Sequence, residues 1–211
     1  MAFSDFKTIS DVQKKYRIKY SEENFIVSQE LLPSDSFIKD FEFNKEHIDL
    51  FASEASRSET IISPLLREVY KKYYQKYSFW IRKSISYDEI LSGTPDYLFS
   101  RRSELGKTVL EKPIVIVVEA KKNDFEQGWG QCLAELLASQ KINDNFSRAV
   151  YGIVTDGNLW QFGKLVADTF IKDSGNFTID NLLRVYGAVE NLVQLVEEED
   201  EKQENGSGFR Q

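Results

Sequence analysis

Residues 114–121 read Ile-Val-Ile-Val-Val-Glu-Ala-Lys, an apolar run of β-branched residues that ends in two charged side chains. Such a run, preceded here by Pro113, predicts a strand buried inside a sheet. Side chains two apart in a strand point to the same face. We therefore expect Glu119 and Lys121 to project together from the polar end of this strand, with Ala120 on the opposite face.

A second polar position comes before another strand-like segment. Pro95-Asp96 precedes Tyr97-Leu98-Phe99. If this segment pairs alongside the strand at 114–118, two carboxylates and one ammonium group converge. Oxygen ligands of this kind suit a divalent cation, which can in turn activate a water molecule for attack on a phosphate.

The order Pro95-Asp96, apolar strand, Glu119-X-Lys121 resembles the PD-(D/E)XK nuclease superfamily over about residues 56–166. The resemblance implies a restriction-endonuclease-like fold with a Mg²⁺ site, which Mn²⁺ can also fill. By that likeness Asp96, Glu119 and the backbone carbonyl of Ala120 hold the metal. Lys121 orients or helps to deprotonate the attacking water and offsets charge on the phosphate.

Three further residues are candidates by the same resemblance. Some members of the superfamily place a glutamate from the preceding helix at the metal, and Glu59 is our candidate for it, with Glu54 and Glu68 as competitors. Others carry a glutamine on the helix after Glu-X-Lys, here Gln131. Gln127, four residues earlier, shares that helix face. In the exonuclease branch a tyrosine follows the glutamine, whereas this chain has Glu135.

Each candidate has an ordinary structural alternative. Glu119 and Lys121 could form an exposed ion pair at a strand end, which contributes about 0–1 kcal/mol. Asp96 could belong to an Asx turn, and Glu59 could be a helix-start acid favoured by the helix dipole. The joint pattern, in this order and strand context, favours the metal site.

The rest of the chain indicates an α/β or α+β fold, with a central mixed sheet flanked by helices. The apolar spacing after Ser56 predicts a helix that starts at Ser63 or is kinked near Pro64. Alternation predicts a strand from Phe79 to Tyr87, and Phe25-Ile26-Val27 is also strand-like. The other predicted elements are a helix at 124–138 capped by Asp124, a hairpin at 149–165 around Asp156-Gly157-Asn158, and a helix at 179–196.

We predict a single nuclease-like domain over residues 1–196. Its core covers about 56–166, a helical or irregular region precedes it at 1–55, and the helix at 179–196 closes it. Residues 197–211 are predicted to form an acidic tail. In the hairpin, Trp160 and Phe162 are predicted to belong to the core rather than to a base-stacking surface.

Composition excludes several classes of protein. The 211 residues include one histidine, His47, and one cysteine, Cys132, so a structural zinc site and chemistry based on clustered histidines are excluded. No apolar run approaches the roughly 20 residues that span a bilayer, and the N-terminus does not resemble a signal peptide. The single cysteine fits a cytoplasmic location.

The net charge is −7, of which −4 lies from residue 197 onward. A local basic groove therefore stays compatible with the total charge.

The leading hypothesis is a Mg²⁺-dependent DNA endonuclease of the restriction or repair type. It could act with a specificity or motor subunit or as a homodimer, and it needs no membrane. The alternative is a nuclease fold with weak or absent activity that serves in nucleic-acid binding or assembly. A third possibility is that the motif arises by chance.

Overall fold

The computed structural model describes residues 2–27 and 29–207, with side chains through residue 203. The helices are α1 (Ile9–Tyr16), α2 (Asp35–His47), α3 (Glu54–Arg57), α4 (Ser63–Tyr73), α5 (Phe125–Asn143) and α6 (Leu182–Ser207). The strands are β1 (Lys19–Glu23), β2 (Tyr77–Ile81), β3 (Ile85–Ser86), β4 (Ser92–Gly93), β5 (Tyr97–Arg101), β6 (Glu111–Ala120), β7 (Val150–Thr155), β8 (Leu159–Val166), β9 (Thr169–Asp173) and β10 (Phe177–Thr178). Two short 3₁₀ turns lie at Phe3–Asp5 and Ile179–Asn181.

One mixed sheet in the order β1-β9-β8-β7-β6-β5-β2 forms the centre of the molecule, and β10 pairs with β8. The β6–β7 and β1–β9 pairs are parallel, whereas the other pairs of the sheet are antiparallel. Helices cover both faces, so the predicted α/β class with a central mixed sheet is confirmed. Strand β6 lies in the middle of the sheet, which explains its continuous β-branched run.

Each face of the sheet has its own apolar core. On one face Leu98 and Val117 pack with Trp129 and Leu133 of α5. On the other face Val118 and Ala120 pack in the cluster that contains residues of α4 and α6. Trp160 and Phe162 are fully buried, as predicted.

Pro64 is accommodated by a change of helix type. A π-helical segment, Ser58–Ile62, joins α3 to α4, and Pro64 occupies the first turn of α4. Proline lacks an N–H group and its ring collides with the carbonyl four residues earlier, so a wider turn before it relieves the clash. Helix α4 therefore begins at Ser63 with Pro64 in its first turn, as one of the two alternatives predicted, and it follows the π-helical segment without a break.

Two of the predicted strands are placed differently. The strand predicted at 79–87 ends at Ile81, because Arg82 takes a left-handed conformation with φ of 48°. Ile85–Ser86 then pairs with Ser92–Gly93 in a separate two-stranded sheet. The strand predicted at 25–27 lies instead at Lys19–Glu23. The N–H groups of Phe25 and Ile26 donate to the Asp173 carboxylate at 2.7 and 2.8 Å.

Two other predictions agree closely with the structure. Asp124 caps α5 by accepting a hydrogen bond from the Gln127 N–H at 3.0 Å, and β7 and β8 form the predicted hairpin.

The helix predicted at 179–196 continues to Ser207, so the acidic residues 197–207, predicted as part of the tail, are helical. Residues 208–211 of that tail lie outside the described residues.

Candidate functional site at the ends of two central strands

The pairing of β5 with β6 brings the motif residues together. Tyr97 pairs with Val118 in an antiparallel ladder, so Asp96 lies opposite Glu119 at the point where the ladder ends. Alternation places Asp96 on the same face as Leu98, and Glu119 on the same face as Val117, which is the face covered by α5. Ala120 faces the opposite core, as predicted.

The Asp96 carboxylate is held on one side and open on the other. Its Oδ2 accepts a hydrogen bond from the backbone N–H of Ala120 at 2.9 Å, while Oδ1 lies 3.8 Å from Nε of Arg82. The side chain keeps 19% of its surface exposed. Burial raises the pKa of Asp96, although the Ala120 N–H and the charges of Lys121 and Arg82 oppose that rise.

Glu119 is almost fully buried and forms an ion pair with Lys121. The Lys121 Nζ lies 2.8 Å from Oε1 of Glu119, and the exposed fractions of the two side chains are 23% and 2%. Burial, followed by the charge of Asp96, raises the pKa of Glu119. For Lys121, burial lowers the pKa, but the carboxylates of Glu119 and Asp96 outweigh it and raise the pKa above its usual value.

A second buried carboxyl group lies behind Glu119. Glu135 of α5 is fully buried, interacts with Glu119, and accepts a hydrogen bond from Nε2 of Gln131 at 3.0 Å. Burial and the Glu119 charge raise the pKa of Glu135 well above its ordinary value. Among the described residues, neither Oε2 of Glu119 nor Oε2 of Glu135 has a conventional donor. Burial beside the charge of Glu119 therefore favours the protonated form of Glu135.

The two glutamines of α5 are placed differently. Gln131 is buried and contacts Glu135, so it reaches the Glu119–Lys121 pair through that carboxyl group. Gln127 is half-exposed on the first turn of the helix. In the sequence pattern, Glu135 is only a departure from the tyrosine of the exonuclease branch. The available signal was a single acid within the apolar run at residues 132–138.

The structure does not bring Glu59 into the same contact network. Glu59 is exposed and lines a groove of about 620 Å³ with Asp40 of α2 and Arg67 of α4. Among the residues that the structure describes, no hydrogen bond or ion pair joins Glu59 to the motif residues. The nearby glutamate whose charge acts on both Asp96 and Lys121 is Glu54, at the start of α3.

Arg57 is a buried residue at the site that the sequence pattern did not reveal. Its Nη1 lies 3.4 Å from Oδ1 of Asn123 and 3.9 Å from Oδ2 of Asp156, and its Nη2 donates to the Phe51 carbonyl at 3.4 Å. Asn123 comes two residues after Lys121, and Asp156 follows the last residue of β7. The guanidinium group therefore links the two loops that leave β6 and β7, next to the motif.

Part of the positive charge of the chain is already paired with acids. Lys71, Lys72 and Lys76 are paired with acids at 2.6–2.7 Å. Close to the motif, Arg82 is 69% exposed and Lys122 is exposed. Arg82 and Lys122 therefore provide exposed positive charge beside Asp96 and Lys121.

The donor set for a metal consists of oxygen atoms. Within residues 2–27 and 29–203, no three His, Cys, Asp or Glu side chains are close enough to hold a metal ion by themselves. Magnesium, however, is commonly bound by one or two carboxylates together with water and substrate phosphate. Asp96, Glu119 and the Ala120 carbonyl match that requirement, because all three offer hard oxygen ligands where β6 ends and β5 begins.

Comparisons with known proteins leave the family open. No protein-family model matches the chain, and no curated protein gives a significant match. In the part of the chain covered by the structure, every helix is too short or too polar to cross a lipid bilayer.

Proposed function

We propose that this protein is a Mg²⁺-dependent DNA endonuclease of the PD-(D/E)XK type, working in restriction or repair in the cytoplasm. The observation that carries the proposal is the pairing of β5 with β6. It places Asp96 opposite Glu119, with the Lys121 ammonium 2.8 Å from the Glu119 carboxylate. Two carboxylates and an ammonium group at one strand end are the groups that phosphodiester hydrolysis needs.

Each residue has a distinct role in this proposal. Asp96, Glu119 and the Ala120 carbonyl would hold Mg²⁺ or Mn²⁺, and the partial exposure of the Asp96 side chain supports this role. When bound, the metal supplies positive charge to the phosphate and makes a water molecule more acidic. The Ala120 N–H fixes the Asp96 carboxylate, and Lys121 offsets the negative charge that develops on the phosphate.

Exposed cations beside the motif support DNA as the proposed substrate. Arg82 and Lys122 are exposed beside the motif and are suited to phosphate contacts, which position DNA without reading its sequence. Recognition of a particular sequence would then come from a specificity or motor subunit or from a second copy of this chain.

The test is plasmid nicking in Mg²⁺ or Mn²⁺ by the wild-type protein and three variants. Lys121→Met and Glu119→Gln should each lower the nicking rate by about 10²–10³-fold, because each removes a group that stabilises the transition state. Lys122→Met changes the charge equally one residue away, and it should alter the rate only a few-fold. Nicking that survives in both Lys121→Met and Glu119→Gln would refute the assignment of the site.

The alternative function is a nucleic-acid-binding or assembly module without strong catalysis. Two features favour it: the Lys121 ammonium already occupies one oxygen of Glu119, and burial raises the pKa of Glu119. Both reduce the negative charge that attracts a metal. DNA binding without metal-dependent nicking, in a protein that takes up no Mn²⁺ in calorimetry, would support this alternative.

A further inference from the structure

A second concave surface lies beside the first turns of α5. It is a cavity of about 450 Å³ whose lining includes Ser10, Tyr20, Phe125, Trp129, Gln161 and Lys172. Its size falls in the range of small-ligand pockets. The residues come from α1, β1, α5, β8 and β9, so the cavity exists only in the folded chain.

Three aromatic residues line the cavity, and hydrogen bonds hold one of them, Trp129, in place. Trp129 is 2% exposed, and its Nε1 donates to Oε1 of Gln161 at 2.8 Å. Gln161 in turn donates from Nε2 to Asn176 at 2.8 Å. Tyr20 is 42% exposed, and its ring packs against Phe170 with centroids 6.0 Å apart. A fixed aromatic floor with an accessible tyrosine at its edge suits the flat face of a nucleobase.

Lys172 is the unusual residue of this lining. It is half-buried, and its Nζ lies 5.7 Å from the centre of the Trp129 ring. Within the described part of the chain, its ammonium group makes no hydrogen bond and no ion pair. Burial lowers the pKa of Lys172, and the charge of exposed Glu22 only partly opposes this. A partly desolvated ammonium group that has no hydrogen-bond or ion-pair partner would gain free energy from an anionic ligand.

The cavity is connected to the proposed catalytic site through α5. A Cβ atom added at Gly128 would lie 3.3 Å from Cγ of Lys121, so this turn of the helix packs against the lysine. The next residue, Trp129, lines the cavity. This part of α5 therefore contacts Lys121 at Gly128 and contributes Trp129 to the cavity.

We propose that this cavity binds one nucleotide of a single-stranded segment, with the base against Tyr20 and Phe125 and a phosphate on Lys172. The proposal rests on the proposed function, since it assigns the cavity to a nucleotide of the strand that is cut. Glu126 is exposed at the rim and carries the wrong charge for a phosphate, so its neutralisation should tighten binding.

Fluorescence anisotropy with fluorescein-labelled (dT)8 in EDTA tests the cavity without any cleavage. Tyr20→Leu should weaken binding about tenfold, and Tyr20→Phe should stay within twofold of wild type, because stacking needs the ring and not the hydroxyl group. Glu126→Gln should bind about twofold more tightly. An abasic octamer with the same phosphates should bind wild type about tenfold more weakly than (dT)8. This comparison uses only the wild-type protein, so it does not depend on whether a variant folds.

The salt dependence of binding tests the phosphate contact. Lys172→Met should lower the magnitude of the slope of log K against log[salt] by about 0.7, the value for one phosphate contact on a single strand. Lys19→Met makes the same charge change on β1, where Lys19 pairs with Asp168 at 2.8 Å, and it should leave the slope unchanged.

The proposal is overturned if wild type does not bind (dT)8, if it binds the abasic octamer equally well, or if Lys172→Met behaves like Lys19→Met. The failure of this proposal and the failure of the proposed endonuclease activity give different results. Base-dependent binding without nicking would retain the cavity and refute the endonuclease. Nicking that depends on Lys121, with unchanged binding in the cavity variants, would retain the endonuclease and refute the cavity proposal.

Discussion

The link between Arg57 and Asp156 should stabilise both the fold and the loop that carries Lys121. The two side chains are only 9% and 12% exposed, and the Arg57 guanidinium also lies 3.4 Å from Asn123. Arg57→Met removes the charge and keeps an apolar stem of similar length. We expect the free energy of unfolding to fall and the amides of residues 121–124 to exchange faster with solvent.

The magnitude follows from the distance. At 3.9 Å and an effective dielectric constant of about 20, the attraction between two unit charges is about 4 kcal/mol. Desolvation of both groups cancels most of this, and the long contact is weaker than a bidentate pair. We therefore expect a coupling energy of about 1–2 kcal/mol between Arg57 and Asp156, within the usual range for side chains in contact.

A double-mutant cycle measures this coupling. Arg57→Met, Asp156→Asn and the double variant are unfolded by urea at pH 7 in EDTA, and hydrogen exchange follows the loop. The Asp156→Asn variant keeps an acceptor for the N–H groups of Asn158 and Leu159, which the carboxylate binds at 3.0 and 2.7 Å. Exposed Arg67→Met is the matched control and should change stability by less than about 0.5 kcal/mol. A coupling energy below about 0.3 kcal/mol, or loop exchange no faster than in the control, would refute the reasoning.

Two further predictions concern the packing around α5. Because burial raises the pKa values of Glu119 and Glu135, the folded state holds more protons than the unfolded state above pH 4.5. The stability of wild type relative to Glu135→Gln should therefore fall by roughly 1 kcal/mol per unit as the pH rises from about 5 to 7 in EDTA, and parallel curves in urea unfolding would contradict this. Gly130→Ala should destabilise the protein by about 2 kcal/mol, since its Cβ would lie 2.6 Å from the backbone nitrogen of Thr8, which can only move with its whole segment. Gly128→Ala meets side chains of Val154 and Lys121 instead, so thermal unfolding should show a smaller loss, and an equal loss would argue against the backbone clash.

Local features of the chain were predicted well because neighbouring residues determine them. Residues 114–121 were predicted to form a strand. Side chains alternate between the two faces of any strand, so Glu119 and Lys121 were predicted to share one face and Ala120 to take the other. Asp124 caps α5 as predicted because capping needs only the first turn of the helix. The hairpin at Asp156-Gly157-Asn158 needs only two strands and a tight turn.

Long-range contacts were not predictable from such patterns. Strand β1 pairs with β9 about 150 residues away, and its mostly exposed sequence, Lys-Tyr-Ser-Glu-Glu, has no apolar stripe. The acidic end of α6 was predicted to be a tail. In the structure it is a helix that is anchored by bonds from Tyr151 to Glu199 at 2.8 Å, from Lys76 to Glu197 at 2.6 Å, and from buried Arg148 to Asp200. A run of acids is compatible with a folded helix only when cations and hydroxyl groups elsewhere in the fold meet it.

The same distinction between local and long-range features applies to the candidate site. The order of polar residues along the chain was sufficient to select Asp96, Glu119 and Lys121, because strand alternation is a local property. Which strands are neighbours, and therefore that Asp96 lies opposite Glu119, depends on pairing across the sheet. The same holds for Glu135 and Arg57, whose importance comes from burial beside other charges, and burial is created only when helices pack on the sheet.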